Sequence, residues 1–127
     1  MKRLLLTLIC SIYFCTYASN TFFVKDLERR QVVSSEIIKS LAAENYDLVS
    51  KKFHPSLKYE LTTEKISNVW QSVVSKLGSF VEIVSISNSE FQGYQQIRSR
   101  CRFEEGNMTV EVTFNAEDLV IGLYIKP

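Results

Sequence analysis

The chain has 127 residues, is 46% hydrophobic, and carries 15 Lys and Arg against 14 Asp and Glu, a formal net charge of +1. That balance excludes the strongly basic footprint of a nucleic-acid-binding domain, and the length suits one domain with a core of its own. A single histidine, His54, excludes a histidine-built metal site.

At the N-terminus, Lys2 and Arg3 precede an uncharged apolar stretch, Leu4 to Tyr17, and Thr16-Tyr17-Ala18 places small residues for cleavage after Ala18. This is the layout of a secretory signal peptide over residues 1–18, too short for a membrane-spanning helix. Cys10 and Cys15 follow bulky residues, Ile9 and Phe14, which argues against a lipoprotein signal. The expectation is export, secreted or periplasmic, with no membrane span after cleavage. Residues 19–127 form the predicted single domain. Only Cys101 remains in it, so no intramolecular disulfide is expected and stability must come from the core. Losing Lys2 and Arg3 turns the balance slightly acidic.

After a short leader containing Phe22 and Phe23, residues 25–43 read as a helix. Val33, Ile37 and Leu41 recur every fourth residue, with Leu27, Val32 and Ile38 widening the stripe. Tyr46, Val49 and Phe53 suggest a second, short helix that stops at His54-Pro55, since proline disfavours helix in the residue before it. Thr62 or Thr63 is the expected N-cap of the next helix, with Glu64 in its first turn. Ile66, Val69, Trp70, Val73 and Leu77 give it the most regular apolar stripe in the chain, and Gly78 is placed to end it.

Beyond Gly78 the period changes from helical to alternating. Phe80 to Ile86 reads as a strand and Ser87 to Gly93 as a polar turn region. Three further strands carry inward residues Ile97, Cys101 and Phe103, then Met108, Val110, Val112 and Phe114, then Leu119, Ile121, Leu123 and Ile125. A turn at Glu105-Gly106 would pair Cys101 with Val110 and Arg100 with Glu111. One centred on Ala116-Glu117 would pair Val112 with Ile121. The expected fold class is α+β, with N-terminal helices packed on a curved antiparallel sheet of about four strands.

Reaction machinery is sparse. His54 suits general acid–base work by residue type, but it precedes a proline and has no assignable carboxylate partner. No nucleophile elbow, phosphate-binding loop, metal-protease or calcium-loop pattern is present. Glu104-Glu105 and Glu117-Asp118 read as solvated turn charges. Arg98, Arg100 and Arg102 stand out because alternation puts all three on the outward face of one strand. They suit carboxylates or phosphates, and equally they suit ordinary cross-strand pairing. Val120, Gly122 and Tyr124 are expected on the same face, which makes Arg98, Arg100, Arg102, Val120 and Tyr124 a candidate partner or dimer surface. Tyr46, Tyr59 and Trp70 are the candidates for lining a ligand pocket between helices and sheet, with core packing the simpler role for Trp70.

Several features together resemble a known family. They are Asn45-Tyr46-Asp47 ahead of Phe53, the Trp70 helix closed by Gly78, Tyr94 opening a strand, Phe103-Glu104-Glu105-Gly106, Phe114, and the ending Ile121-Gly122-Leu123-Tyr124-Ile125-Lys126-Pro127. They look like a bacterial and archaeal domain family of unknown function that occurs alone or fused before alpha/beta-hydrolase domains, within the nuclear-transport-factor-2-like superfamily. The resemblance implies a cone-shaped, cystatin-like arrangement with a pocket in the cone and dimerisation through the outer sheet face. It implies no catalytic residues; no cofactor is expected. With the chain closing at Pro127, a fused hydrolase is expected to be absent. The functional expectation is an exported, non-catalytic module that binds a partner protein, itself, or a small ligand. The alternative is a small isomerase- or hydrolase-type enzyme using a pocket carboxylate (Glu60 or Glu64) or His54 as base.

Overall fold

The computed structural model describes residues 27–127; the expected signal peptide and leader lie outside them. Helix α1 covers residues 27–42, followed by α2 (Tyr46–Lys51), α3 (Pro55–Glu60) and α4 (Thr63–Leu77). Strands β1 (Phe80–Phe91), β2 (Tyr94–Phe103), β3 (Gly106–Phe114) and β4 (Val120–Lys126) form one antiparallel sheet in the order β1-β2-β3-β4. Helices precede the sheet, an α+β fold.

The helices and the sheet meet in one core. Ile37, Ile38 and Leu41 of α1, Val49 and Phe53, and Ile66, Trp70 and Val73 of α4 pack on Ile97, Cys101, Phe103, Val110, Val112, Phe114 and Val120. Trp70 is held by Phe103 and Phe80, with ring centroids 5.5 and 6.4 Å away, and those two rings meet edge-on at 5.8 Å. Ser99 interrupts the apolar alternation of β2 for a visible reason. Buried Ser34 of α1 faces it, with the two Oγ atoms 3.5 Å apart, so two small side chains meet where helix and sheet cross. Val32, expected to widen the buried stripe of α1, is instead 55% exposed.

Helix ends follow the local chemistry. Thr62 caps α4 by accepting from the Lys65 N–H at 3.4 Å. Gly78 ends it at φ +80, ψ −166, a region that only glycine occupies freely. Pro55, expected to stop one helix, also begins the next. It occupies the first turn of α3, where a missing N–H costs nothing, and His54 is the N-cap.

Three expectations about the sheet need correcting. First, β1 runs through Ser87–Phe91, and the turn is only Gln92-Gly93, both at positive φ as a tight hairpin requires. The polar residues of this edge strand pair with Arg98 through Tyr94. Second, both remaining hairpins are displaced by two residues from the expected registers. Cys101 pairs with Met108, Arg98 with Glu111, Arg100 with Thr109, and Val112 with Leu123. The β2–β3 turn is Glu104-Glu105, flanked by the Phe103–Gly106 pair. Its N–H groups bond to the carbonyls of Leu77 and Ser79 at the end of α4. Third, Val120 is fully buried rather than outward. Ile121 is an extra residue between the Phe114–Val120 and Thr113–Gly122 pairs, and such a bulge reverses the facing of what lies before it. The backbone of Val120 also pairs with Lys52 and His54, 3.0 and 2.8 Å, through a parallel bridge at Phe53.

Candidate functional site

The sheet face away from the core is mostly polar, with Phe91 and Tyr94 exposed at its β1–β2 hairpin end, and its remaining residues fall into transverse rows. One row is Ser89, Gln96, Thr113 and Gly122; the next is Ser87, Arg98, Glu111 and Tyr124. Then come Ser85, Arg100, Thr109 and Lys126, and finally Glu82, Arg102 and Asn107. The period of two that buries Ile97, Cys101 and Phe103 is what sends the three arginines outward.

Charges on this face are unequally satisfied. The Glu111 side chain is 6% exposed and lies between Arg98 Nη2 at 3.6 Å and Lys126 Nζ at 3.5 Å. Arg102 directs both Nε and Nη2 to Glu82 Oε1, each at 3.2 Å. Arg100 bonds through Nη1 to the Thr109 hydroxyl at 3.2 Å, and no carboxylate reaches it among the described residues. The expected Arg100–Glu111 pair is therefore replaced by Arg98–Glu111. Gln96 donates to Thr113 Oγ1 at 3.1 Å and accepts from Ser89 at 3.1 Å. Tyr124 is 48% exposed. Its ring leans over Gly122, where an added Cβ would meet Tyr124 Cε2 at 3.1 Å, and Lys126 Nζ lies 5.8 Å from its centroid.

The proposed pocket residues are not brought together. Trp70 is a core residue. Tyr59 is 87% exposed, and Tyr46 is half-buried with its hydroxyl near Gln71 Nε2 at 3.4 Å. An apolar crevice between helices and sheet does exist, but Leu41, Leu61, Ile66, Val69, Leu123 and Ile125 line it. A second, wide groove runs between α1 and β1, past Val32 and Ile86.

His54 is spent on structure: its Nδ1 accepts from the Ser56 N–H at 3.2 Å and lies 2.8 Å from Ser56 Oγ. Glu60 and Glu64 are exposed. Glu104 has a structural task that sequence reading missed. Its carboxylate accepts from the Ser79 N–H at 2.7 Å, closing the α4–β1 junction. That backbone bond first, then a side-chain bond from Ser79, holds its carboxyl below the ordinary glutamate range. A Ser79 N–H freed by the turn at Gly78 is the signal that could have found it. Burial pushes the Cys101 thiol up to about 11. Among the described residues no cluster of three or more His, Cys, Asp or Glu suits a metal ion, and no helix is long and apolar enough to cross a membrane.

Fold and site together define an α+β domain with a filled core and a polar, arginine-bearing sheet face. The chain belongs to the family described as proteins of unknown function (DUF3887), whose model matches residues 34–123. It is also similar to Esterase EstD of Thermotoga maritima, 26% identical over 89 residues, which cover 70% of this chain but only 22% of that protein. A match to one part of a longer esterase is consistent with a domain that also occurs joined to hydrolases. No solved structure matches.

Proposed function

We propose that the chain is an exported, non-catalytic interaction module that works through the outer face of its sheet. The observation that carries this reading is the division of β2. Its inward residues are consumed by the core, while Arg98 and Arg102, each 50% exposed, and Tyr124 stand outside it. Arginine and tyrosine are the residues that interfaces favour. The candidate general bases point elsewhere or serve as caps, which counts against the isomerase or hydrolase alternative. The esterase relative lends that alternative slight support, since this chain matches so small a part of it. A nuclear-transport-factor-2-like cone with self-association across the sheet fits the same reading, as does an exported partner protein.

Sedimentation of the full chain and of Tyr124→Glu, run beside ester-hydrolysis and isomerase assays, tests the proposal. The expected result is no turnover, with any self-association lost in the variant while its circular dichroism is unchanged. Turnover abolished by altering His54, Glu60 or Glu64 would overturn it.

A further inference from the structure

The row Ser85, Arg100, Thr109 and Lys126 differs from its neighbours in a way that bears on what the outer face binds. It holds two cations and two hydroxyl residues and no carboxylate. In the adjoining rows, Arg102 has both forked donors on Glu82 and Arg98 faces Glu111. The Arg98–Glu111 distance of 3.6 Å is longer than a hydrogen bond, so the Arg98 donors are not consumed by it. Arg100 spends one donor on Thr109, and a guanidinium has five. Two arginines with under-used guanidinium groups thus stand two residues apart on one strand, their Cα atoms ~6.6–6.8 Å apart by strand geometry.

We infer that this face docks an extended acidic protein segment with carboxylates on alternate residues, one on Arg100 and the next on Arg98. The inference rests on the interaction-module reading above and names the partner's chemistry. Alternate residues of an extended segment repeat at the same ~6.6–6.8 Å as the Cα atoms of Arg98 and Arg100, and a carboxylate matches the planar fork of arginine. Charge argues against a second copy. The outer rows carry Arg98, Arg100, Arg102 and Lys126 against Glu82 and Glu111, so stacking two such faces sets excess positive charge on excess positive charge. It also argues against nucleic acid, because Glu82 and Glu111 lie within the patch and the chain's formal net charge is only +1.

The test titrates the full chain with a synthetic peptide of alternating Glu and Thr, its Gln counterpart, and inorganic phosphate. The Glu peptide is expected to bind and to weaken as salt rises. Arg100→Gln is expected to reduce its affinity about tenfold or more, the scale of one lost charge-assisted bond. Lys76→Gln, which removes an exposed cation of α4 on the other side of the sheet, should leave affinity nearly unchanged. Thr109→Val, which keeps Arg100 but removes its anchor, should give a smaller loss than Arg100→Gln. The inference is overturned if the Glu peptide does not bind, if the Gln peptide binds equally, or if Arg100→Gln and Lys76→Gln lose equally. Phosphate binding as tightly as the peptide would overturn it in favour of an isolated anion site, and a face-to-face dimer burying Arg100 would overturn it in favour of self-association. Peptide failure without enzymatic turnover removes this inference and leaves the module reading standing, whereas turnover dependent on His54, Glu60 or Glu64 removes the module reading itself.

Discussion

Replacing Gly78 by alanine probes the junction that fixes helix α4 against the β2–β3 turn. Gly78 sits at φ +80, ψ −166, and a Cβ there would lie 2.9 Å from Cβ of Glu104, an atom tied to its backbone that cannot swing aside. Gly93 makes a control matched in φ, at +84, with nothing within 4 Å of its added Cβ. Disfavoured backbone at either site costs ~1–3 kcal/mol, of which ~0.4–1 kcal/mol is recovered because alanine restricts the unfolded chain. The overlap at Gly78 adds ~1–3 kcal/mol, the usual cost of forcing atoms into filled space. The expected losses are therefore about 1 kcal/mol for Gly93→Ala and about 3 kcal/mol for Gly78→Ala. Urea unfolding followed by Trp70 fluorescence reads both, as midpoint shifts at unchanged slope. Equal losses, or a milder effect at Gly78, would refute the reasoning, because it assigns the difference wholly to the contact with Glu104.

Two further predictions follow from the titrating groups. Because the folded carboxyl of Glu104 lies below its ordinary range, its contribution to stability is present above that range and lost as pH falls through it towards the depressed folded value. Stability measured from neutral to acid pH should therefore fall less steeply in Glu104→Gln than in the wild type, and identical slopes would contradict the Ser79 bond. Cys101 is fully buried, with its thiol pushed up to about 11, so it should resist a thiol-reactive disulfide reagent in the native protein at mildly alkaline pH. It should react promptly after unfolding, and rapid native labelling would contradict its burial.

The face of each strand was legible from alternation, but alternation repeats every two residues. A two-residue displacement leaves every apolar side chain on the same face, so hydrophobic pattern alone cannot distinguish Cys101 opposite Val110 from Cys101 opposite Met108. The choice was made by the Glu104-Glu105 turn, whose N–H groups find acceptors at the end of α4. Gly106 allows that approach, since a Cβ there would come within 2.9 Å of Leu77 Cδ2. The same alternation puts Arg98, Arg100, Arg102 and Tyr124 on the outer face, the facing that the strand pairing gives them. Val120 departs from it, because a bulge at Ile121 and a bridge to Phe53 are long-range events without a local signature. The polar half of β1 looked like a loop because a strand exposed at a sheet edge needs no apolar residues to be held by its neighbour. Proline at position 55 signals a helix stop in sequence, but it is equally a helix start, as in α3.

Where a partner touches the molecule decides whether the outer sheet face is the working surface. Amide shifts of the full chain, mapped by nuclear magnetic resonance during titration with the alternating Glu–Thr peptide, measure that directly. Saturable shifts centred on Arg98, Arg100, Thr109 and Tyr124 are expected, absent with the Gln peptide. Shifts centred on the α1–β1 groove, on the crevice at Val69 and Leu123, or around His54 would contradict that role of the outer face.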